Sequence, residues 1–228
     1  MEKGIFILLV ICMVSVSCVS NFDYPINVKF IQLCPDSTSF NIVLVNSITP
    51  EILYSGLQYP NSSKLIQKTV NIVQEEQLRF HLEKVSDKTE LLNWQRVWGT
   101  IIVGGRIDSL QSITLNPNSN IHLGDTTSLY FINAVRNSDN YDLWFGKQLL
   151  FKNMTYFLSD TYYDTCHLTT KLNKSDTFFV YRAGTNQMIS YLPYSPFSSK
   201  GNLIIAISGM EGATDLKKLR LNIYPVNE

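Results

Sequence analysis

The histidines are the first residues to test for metal chemistry. The chain has three, His81, His122 and His167, and only His167 has a cysteine beside it, Cys166. A protein zinc site needs three or four clustered His, Cys or carboxylate ligands. Side chains of neighbouring residues on a strand point to opposite faces, so Cys166 and His167 would not converge on one ion. The sequence therefore predicts no metal site and no cofactor.

Catalytic motifs are not recognisable in the chain. It contains no Gly-x-Ser-x-Gly and no His-Glu-x-x-His, and Gly104-Gly105-Arg106 lacks the spacing of a phosphate-binding loop. A Cys166 nucleophile would need a pocket that stabilises the thiolate and a third group that orients the base. We therefore predict no catalytic residues; a secreted hydrolase with an unrecognised site is the alternative.

Aromatic residues are the other candidates for ligand contact. Asp160-Thr-Tyr-Tyr-Asp164 combines two carboxylates with two aromatic rings, a combination that can bind sugar. Trp94, Trp98 and Trp144 could also contact a ligand, but most such rings pack in cores and on strands. Packing is the expectation for Trp98, which lies beside a predicted strand, and for Trp144, which aligns with a valine in the repeat described below.

The segment Tyr191-Leu-Pro-Tyr-Ser-Pro-Phe-Ser-Ser199 is rich in aromatic residues and proline, and we predict that it forms a loop. If it is exposed, its rings Tyr191, Tyr194 and Phe197 would form a contact surface. If it folds back, the same loop would protect a sheet edge. We find no counterpart to this segment in the first half of the chain.

Residues 1–20 have the pattern of a secretory signal peptide. A short charged start, Met1-Glu-Lys-Gly, is followed by an apolar run from Ile5 to Val14 and by small residues up to Ser20. A membrane anchor is the alternative, but an apolar run of about ten residues is shorter than the roughly 20 that cross a bilayer. We expect cleavage between Ser20 and Asn21, and hence a secreted, extracellular protein with no membrane span.

Secretion also sets the expected covalent chemistry. Cys34 and Cys166 remain after the signal peptide, and they form either one disulfide between the two halves of the chain or two buried thiols. Three Asn-x-Ser/Thr sites, at Asn61, Asn153 and Asn173, are candidate N-glycosylation sites and are therefore expected at the surface.

The elements that would position these residues occur twice in the chain. Phe30–Leu44 aligns without a gap on Phe131–Phe145, and self-similarity of this kind indicates duplicated structural units. Short segments of alternating apolar and polar residues, separated by turn-forming residues, are typical of β-sandwiches. We predict an all-β fold of two tandem immunoglobulin-like antiparallel β-sandwich units with seven strands each. The first covers residues 21–118 and the second residues 125–228.

The repeat resembles the unit of a family of secreted and surface proteins called domain of unknown function 4397. That unit has a turn followed by a strand, then a short strand, and later a strand that ends in glycine. The matching segments are Cys34-Pro35-Asp36, Phe40–Val43, Ile52–Leu57 and Trp98–Gly105 in the first copy, and Asn137-Ser138-Asp139, Tyr141–Trp144, Leu149–Met154 and Leu203–Gly209 in the second. The resemblance implies a β-sandwich at or outside the cell surface, and no established chemistry.

The chain departs from this family in two places. Gln32 and Asn133 stand in the first strand of each copy, where the family commonly has histidine. The family's Pro-Ala-Gly turn before the central strand is absent from both copies, which changes the expected geometry of that hairpin.

Balanced charge narrows the possible partners. The chain has 19 Lys and Arg against 19 Asp and Glu, so bulk charge does not attract nucleic acid. We expect a secreted, non-catalytic glycoprotein that recognises a protein or glycan outside the cell through loops and sheet edges; a structural matrix component is a further alternative. The copies keep strand and turn residues but differ in Cys, His and Trp, so the duplication favours a scaffold with diverged surfaces.

Overall fold

The fold is all-β, as predicted, and it is described here from a computed structural model. The structure describes residues 21–36, 39–45, 50–73, 79–94, 98–115, 126–135, 139–156, 166–172, 174–196, 202–215 and 217–226. These residues form sixteen β-strands and no helix. Among them there is accordingly no helix with the length and apolar character needed to cross a membrane.

The first eight strands form unit 1. They are β1 (Asn21–Gln32), β2 (Phe40–Val45), β3 (Glu51–Leu57), β4 (Ile66–Val73), β5 (Arg79–Lys84), β6 (Glu90–Trp94), β7 (Trp98–Arg106) and β8 (Ser109–Leu115). One sheet has the order β4-β1-β7-β8 and the other the order β3-β2-β5-β6.

The last eight strands form unit 2 and repeat this arrangement strand for strand. They are β9 (Thr127–Asn133), β10 (Tyr141–Phe145), β11 (Gln148–Met154), β12 (His167–Thr170), β13 (Asp176–Arg182), β14 (Met188–Tyr194), β15 (Leu203–Ser208) and β16 (Arg220–Pro225). The sheets have the orders β12-β9-β15-β16 and β11-β10-β13-β14. The duplication that the sequence predicts is therefore present in the topology.

Each unit differs from the predicted antiparallel seven-stranded sandwich in two details. It has eight strands, and its first and seventh strands pair in parallel. In unit 1, Asn27–Gln32 pairs with Trp98–Val103, and in unit 2, Leu129–Asn133 pairs with Leu203–Ile207. A parallel pair needs a long crossover connection. In both units the five intervening strands supply it, and this long-range pairing leaves no local sequence signal.

The β4-β1-β7-β8 and β12-β9-β15-β16 sheets are called the inner sheets, because they face each other across the molecule; the other two are the outer sheets. Phe30 on β1 packs in the core of unit 1 with Phe80, at 6.3 Å between ring centroids. Five residues from the opposite face of the unit 1 inner sheet join the core of unit 2 instead: Ile31, Leu33, Ile102, Ile113 and Leu115. The two units are therefore layers of one four-sheet stack.

Polar groups also connect the inner sheets. The buried Lys29 Nζ donates to the Pro225 carbonyl at 2.5 Å, and the Tyr224 hydroxyl donates to the Pro60 carbonyl at 2.7 Å. The Tyr59 and Ser208 hydroxyl oxygens lie 3.4 Å apart. Burial raises the pKa of Tyr224, and burial likewise raises the pKa of Tyr59 despite its contact with Ser208. Both phenols thus lie in the contact between the units.

Side chains at equivalent repeat positions make equivalent hydrogen bonds. Gln32 Oε1 accepts from the Cys34 backbone N–H at 2.7 Å, and Asn133 Oδ1 accepts from the Val135 backbone N–H at 3.1 Å. Both amides are fully buried, where a side-chain acceptor satisfies a backbone donor that would otherwise be costly to bury. Gln32 and Asn133 therefore each stabilise the turn that follows their strand.

A β-bulge also recurs in both units. Gly56 and Asn153 have positive φ values of 74° and 56°, at the register shifts between β2 and β3 and between β10 and β11. The Gly56 backbone N–H donates to Asn41 Oδ1 at 3.3 Å, and that of Asn153 donates to Asp142 Oδ1 at 2.6 Å. Glycine and asparagine are the residues that adopt this backbone conformation most readily.

Cys34 and Cys166 are both buried, and both are thiols in the structure. Cys34 follows the end of β1, while the Cys166 carbonyl accepts from the Phe131 backbone N–H at 2.9 Å within unit 2. A disulfide between Cys34 and Cys166 stays a prediction.

Candidate binding surface

The outer sheet of unit 2 carries large apolar side chains on its outer face as well as in the core. Strand β13 alternates between two faces, as side chains on a strand must. Phe178 and Val180 are fully buried in the core, while Phe179 and Tyr181 lie on the opposite, outer face and are half-buried. This strand therefore has large apolar residues on both faces, although none of the sheets formed by the described residues packs on its outer face.

One row of apolar side chains crosses all four strands of this sheet. Backbone pairing places Leu149 opposite Trp144, Trp144 opposite Phe179, and Phe179 opposite Tyr191. Because strands lie about 4.8 Å apart, three spacings make the row about 14 Å long. Paired residues of neighbouring strands share a face, so the four side chains form a continuous strip on the outer face.

A second row lies beside the first. Asp142 is paired with Tyr181, and Tyr181 with Met188. The Tyr181 ring bridges the rows, because its centroid is 6.4 Å from both the Trp144 and the Phe179 rings. Edge-on and tilted contacts of this kind hold aromatic rings in defined positions. We call the apolar members of the two rows the platform: Leu149, Trp144, Phe179, Tyr191, Tyr181 and Met188.

The platform is open to solvent at both edges of the sheet. Tyr191 is 59% exposed and Met188 49% on the edge strand β14, and Leu149 is 37% exposed on the edge strand β11. Single exposed apolar residues are ordinary on a protein surface, whereas a contiguous patch of them marks an interaction site. The platform is contiguous, because its members are cross-strand neighbours.

The platform holds almost no charge. Beside it, Asp142 is the one carboxyl group of the two rows; it is 8% exposed, and it already accepts the Asn153 backbone N–H at 2.6 Å. Arg182, the cation at the end of β13, is paired with Asp139 and with Glu211, the latter at 3.1 Å. What the surface offers to a ligand is therefore mainly aromatic and aliphatic area.

The equivalent face of unit 1 is chemically different. Its first row is Ile52, Val43, His81 and Asn93, and its second row is Asn41, Glu83 and Glu90. His81 lies between two carboxylates, 3.6 Å from Glu83 and 3.7 Å from Glu90. Asn41 Nδ2 donates to Glu83 Oε1 at 3.0 Å. The duplication has thus kept the sheet and changed the chemistry of its outer face.

The first four residues of the predicted contact loop, Tyr191–Tyr194, belong to a strand. Tyr191 and Tyr194 both belong to β14, the counterpart of β6 in unit 1, so the predictions of a loop and of no counterpart were wrong. The prediction of a loop rested in part on Pro193, but proline is tolerated on an edge strand such as β14. Tyr191 points outwards, whereas Tyr194 is 6% exposed, with its ring 5.4 Å from Phe178. Phe197 lies outside the described residues.

The tryptophans also differ from the expectation of packing. Trp144 is half-buried on the platform, and Trp98 is 46% exposed at the start of β7. The Trp94 side chain and the segment Asp160-Thr-Tyr-Tyr-Asp164 lie outside the described part of the structure. Four platform residues were not among the sequence candidates: Leu149, Phe179, Tyr181 and Met188. For Phe179 and Tyr181, the sequence signal was the run of apolar residues in β13, which gives that strand an apolar side chain on both faces.

Two of the three candidate glycan acceptors can be placed. Asn61 and Asn153 are exposed, as expected for such sites, and Asn173 lies outside the described residues. Asn153 sits on the β-bulge beside the platform, where its Oδ1 accepts from Asn140 Nδ2 at 2.9 Å. Glycosylation at these positions stays a prediction.

The described residues give little support to a metal site or to a site built from Cys166 and His167. They contain no group of three or more His, Cys, Asp or Glu side chains able to hold a metal ion. His167 lies 3.3 Å from Ser128 Oγ and stacks near Tyr130 rather than joining Cys166 in a site. His122 lies outside the described residues. A cleft between the units is lined by Arg106 and Asp108, which form an ion pair at 3.4 Å.

Comparison with known proteins gives distant structural likenesses. No family model and no curated protein sequence matches the chain. One similar solved structure is titled as α-glucan binding by a streptococcal virulence factor; it is 10% identical, covers 79% of this chain and 92% of its own, and has a TM-score of 0.29. Another is a family 26 carbohydrate-binding module from Eubacterium rectale Amy13K in complex with maltoheptaose, at 6% identity, 88% and 97% coverage, and a TM-score of 0.24. Because both TM-scores are below 0.5, these likenesses carry no argument about a ligand. Inferences about binding are therefore drawn from the surface of this chain itself.

Proposed function

We propose that the chain is a secreted, non-catalytic recognition module that binds glycans on the platform of unit 2. The observation that carries this proposal is the row of Leu149, Trp144, Phe179 and Tyr191, which crosses a four-stranded sheet on a face that no other sheet in the described part of the chain covers. Secretion and membership of the domain of unknown function 4397 family remain predictions from the sequence.

Glycan recognition suits the chemistry of this surface. The faces of a sugar ring present C–H groups that pack on aromatic rings, while its hydroxyls point sideways to polar groups and water. Tyr181 and Tyr191 combine an apolar ring with a hydroxyl at the tip, which is the amphipathic character that such contacts use. The half-buried Asn140 and the exposed Asn153 form a side-chain hydrogen bond next to the platform, which adds polar groups at its border.

The arrangement favours binding rather than catalysis. An active site brings titratable groups together in a concave pocket, whereas the platform is an open face with one carboxylate that a backbone N–H already occupies. On the outer face of unit 1, His81, Glu83 and Glu90 interact with one another, but they lie on an open sheet surface as well. The divergence between the two outer faces supports one specialised binding surface on a duplicated scaffold.

The proposal is tested with the intact protein on an array of immobilised glycans. We expect Trp144→Ala and Tyr191→Ala each to weaken binding at least tenfold, because each removes a ring from the row. The matched controls are Trp98→Ala and Tyr24→Ala, which remove a 46% and a 41% exposed ring from strands of unit 1. The controls should bind as the unaltered protein does.

Two results would contradict the proposal. One is the absence of binding to any glycan on the array by protein whose folding has been verified by circular dichroism. The other is glycan binding that the Trp144 and Tyr191 variants leave unchanged, since the ligand would then contact another surface. If the platform variants instead lost binding to a protein partner, recognition would stand but its glycan chemistry would not.

A further inference from the structure

We infer that the ligand of the platform is an uncharged glycan chain of several sugar rings, laid across the strands of the outer sheet, with one chain bound per molecule. This inference rests on the proposed function and makes it specific. It follows from the length of the platform row, from the charges around it and from the chemistry of the equivalent face in unit 1.

The length of the row sets the size of the ligand. Its four members lie one on each strand, so the row is about 14 Å long, which is room for about three sugar rings in a chain. Its two ends are its most exposed members, Leu149 at 37% and Tyr191 at 59%. A single sugar can cover only part of this strip, and therefore affinity should increase with chain length until the strip is covered.

The charges around the platform exclude an anionic ligand. Sulfate and carboxylate groups are bound most strongly by Arg or Lys side chains within hydrogen-bonding reach. Arg182 is engaged by Asp139 and Glu211, and the one charged group within the rows is the carboxylate of Asp142. Two exposed lysines lie near the rows: Lys147 in the turn between β10 and β11, and Lys152 on β11 in the bulge opposite Asp142. A neutral glycan avoids both repulsion by Asp142 and the need for a cation.

The equivalent face of unit 1 explains why one chain is bound. There the positions of Trp144, Phe179 and Tyr191 are taken by Val43, His81 and Asn93. Val43 is 2% exposed, and His81 is engaged by two carboxylates. The two described rows of that face contain no Trp, Tyr or Phe ring on which a sugar can stack, although the strand order is the same.

The experiment uses the glycan array with neutral and anionic glycans at low and high salt. The best neutral binder is then titrated calorimetrically as a series of increasing chain length, with cello-oligosaccharides, malto-oligosaccharides and heparan sulfate as fixed probes. We expect neutral chains to bind, affinity to rise with length and level off, a stoichiometry of one, and a change of less than about twofold between the salt concentrations. Lys147→Gln and Lys152→Gln should leave binding within about twofold.

The inference and the proposed function fail in different ways. Binding confined to heparan sulfate or other anionic glycans, with a loss of more than tenfold at high salt or in the lysine variants, overturns the inference. The proposed function would survive that result if Trp144→Ala still abolished binding. Equal affinity for a single sugar and a long chain, or a stoichiometry of two, also overturns the inference. Failure to bind any glycan overturns both.

Discussion

At the scale of single residues, the fold depends on a few backbone conformations that most side chains avoid. Gly56 and Gly105 have φ values of 74° and 97°. A Cβ added at Gly56 would meet no atom within 4 Å, whereas one added at Gly105 would lie 2.7 Å from the Ser109 carbonyl oxygen. The two positions therefore separate the cost of the conformation from the cost of a steric clash.

We expect Gly56→Ala to destabilise the protein by about 1–2 kcal/mol, which is the cost of the left-handed conformation alone. Gly105→Ala should cost clearly more, because the hairpin between β7 and β8 must open to relieve the contact with Ser109. Urea denaturation of both variants, followed by circular dichroism, measures the difference in unfolding free energy. Equal losses in the two variants would refute the steric part of this explanation.

At the scale of elements, the internal repeat of the sequence correctly predicted which strands of the two units correspond. The alignment of Phe30–Leu44 with Phe131–Phe145 correctly predicted matching strands β1 and β9, β2 and β10, because apolar alternation and turn residues are local properties. It also placed Trp144 opposite Val43 in the alignment, and both lie on an outer face. The prediction that Trp144 packs in a core was wrong. At this outer-face position the neighbours cover the smaller Val43 side chain, whereas the larger Trp144 ring is only half-buried.

The parallel pairing and the platform could not be predicted in the same way. Pairing of β1 with β7 joins residues that are distant in the chain, and alternation alone does not choose a partner. Strand β13 has apolar residues on both faces, so its pattern does not indicate which face meets the core. The assignment depends on which face meets the inner sheet: Phe178 belongs to the core that includes Phe131 of β9, while Phe179 and Tyr181 lie on the outer face.

Strand β14 offers a test of which face is structural. Tyr194 is buried and its ring contacts Phe145 and Phe178, whereas Tyr191 is 59% exposed. Tyr194→Ala should reduce the unfolding free energy by about 3–5 kcal/mol, as expected for removing a large ring from a core. Tyr191→Ala should change it by less than about 0.5 kcal/mol. If denaturation showed similar losses for both, the assignment of the two faces of β14 would be wrong.

At the scale of the whole molecule, the two units share a core, which tandem sandwiches need not do. On strand β7, Ile101 packs within unit 1 while its neighbour Ile102 packs with unit 2, and both are fully buried. Ile31 and Leu33 on β1 make the same contribution from the inner sheet. Separation of the units would expose this apolar surface to water, at a cost of about 25 cal/mol per Å². One cooperative folding unit is therefore expected.

Fluorescence of Trp144 can test whether folding is shared. In a variant with Trp94 and Trp98 changed to Phe, emission reports on unit 2 alone, since the chain has three tryptophans. Ile102→Ala, a substitution in unit 1, should then lower the stability reported by Trp144 by about 2–5 kcal/mol, in one transition that coincides with the loss of β-sheet circular dichroism. Ile52→Ala, at a residue 51% exposed on the outer face of unit 1, is the control and should shift neither signal. Two separate transitions, with the Trp144 signal unmoved by Ile102→Ala, would mean that the inner sheets touch without stabilising each other.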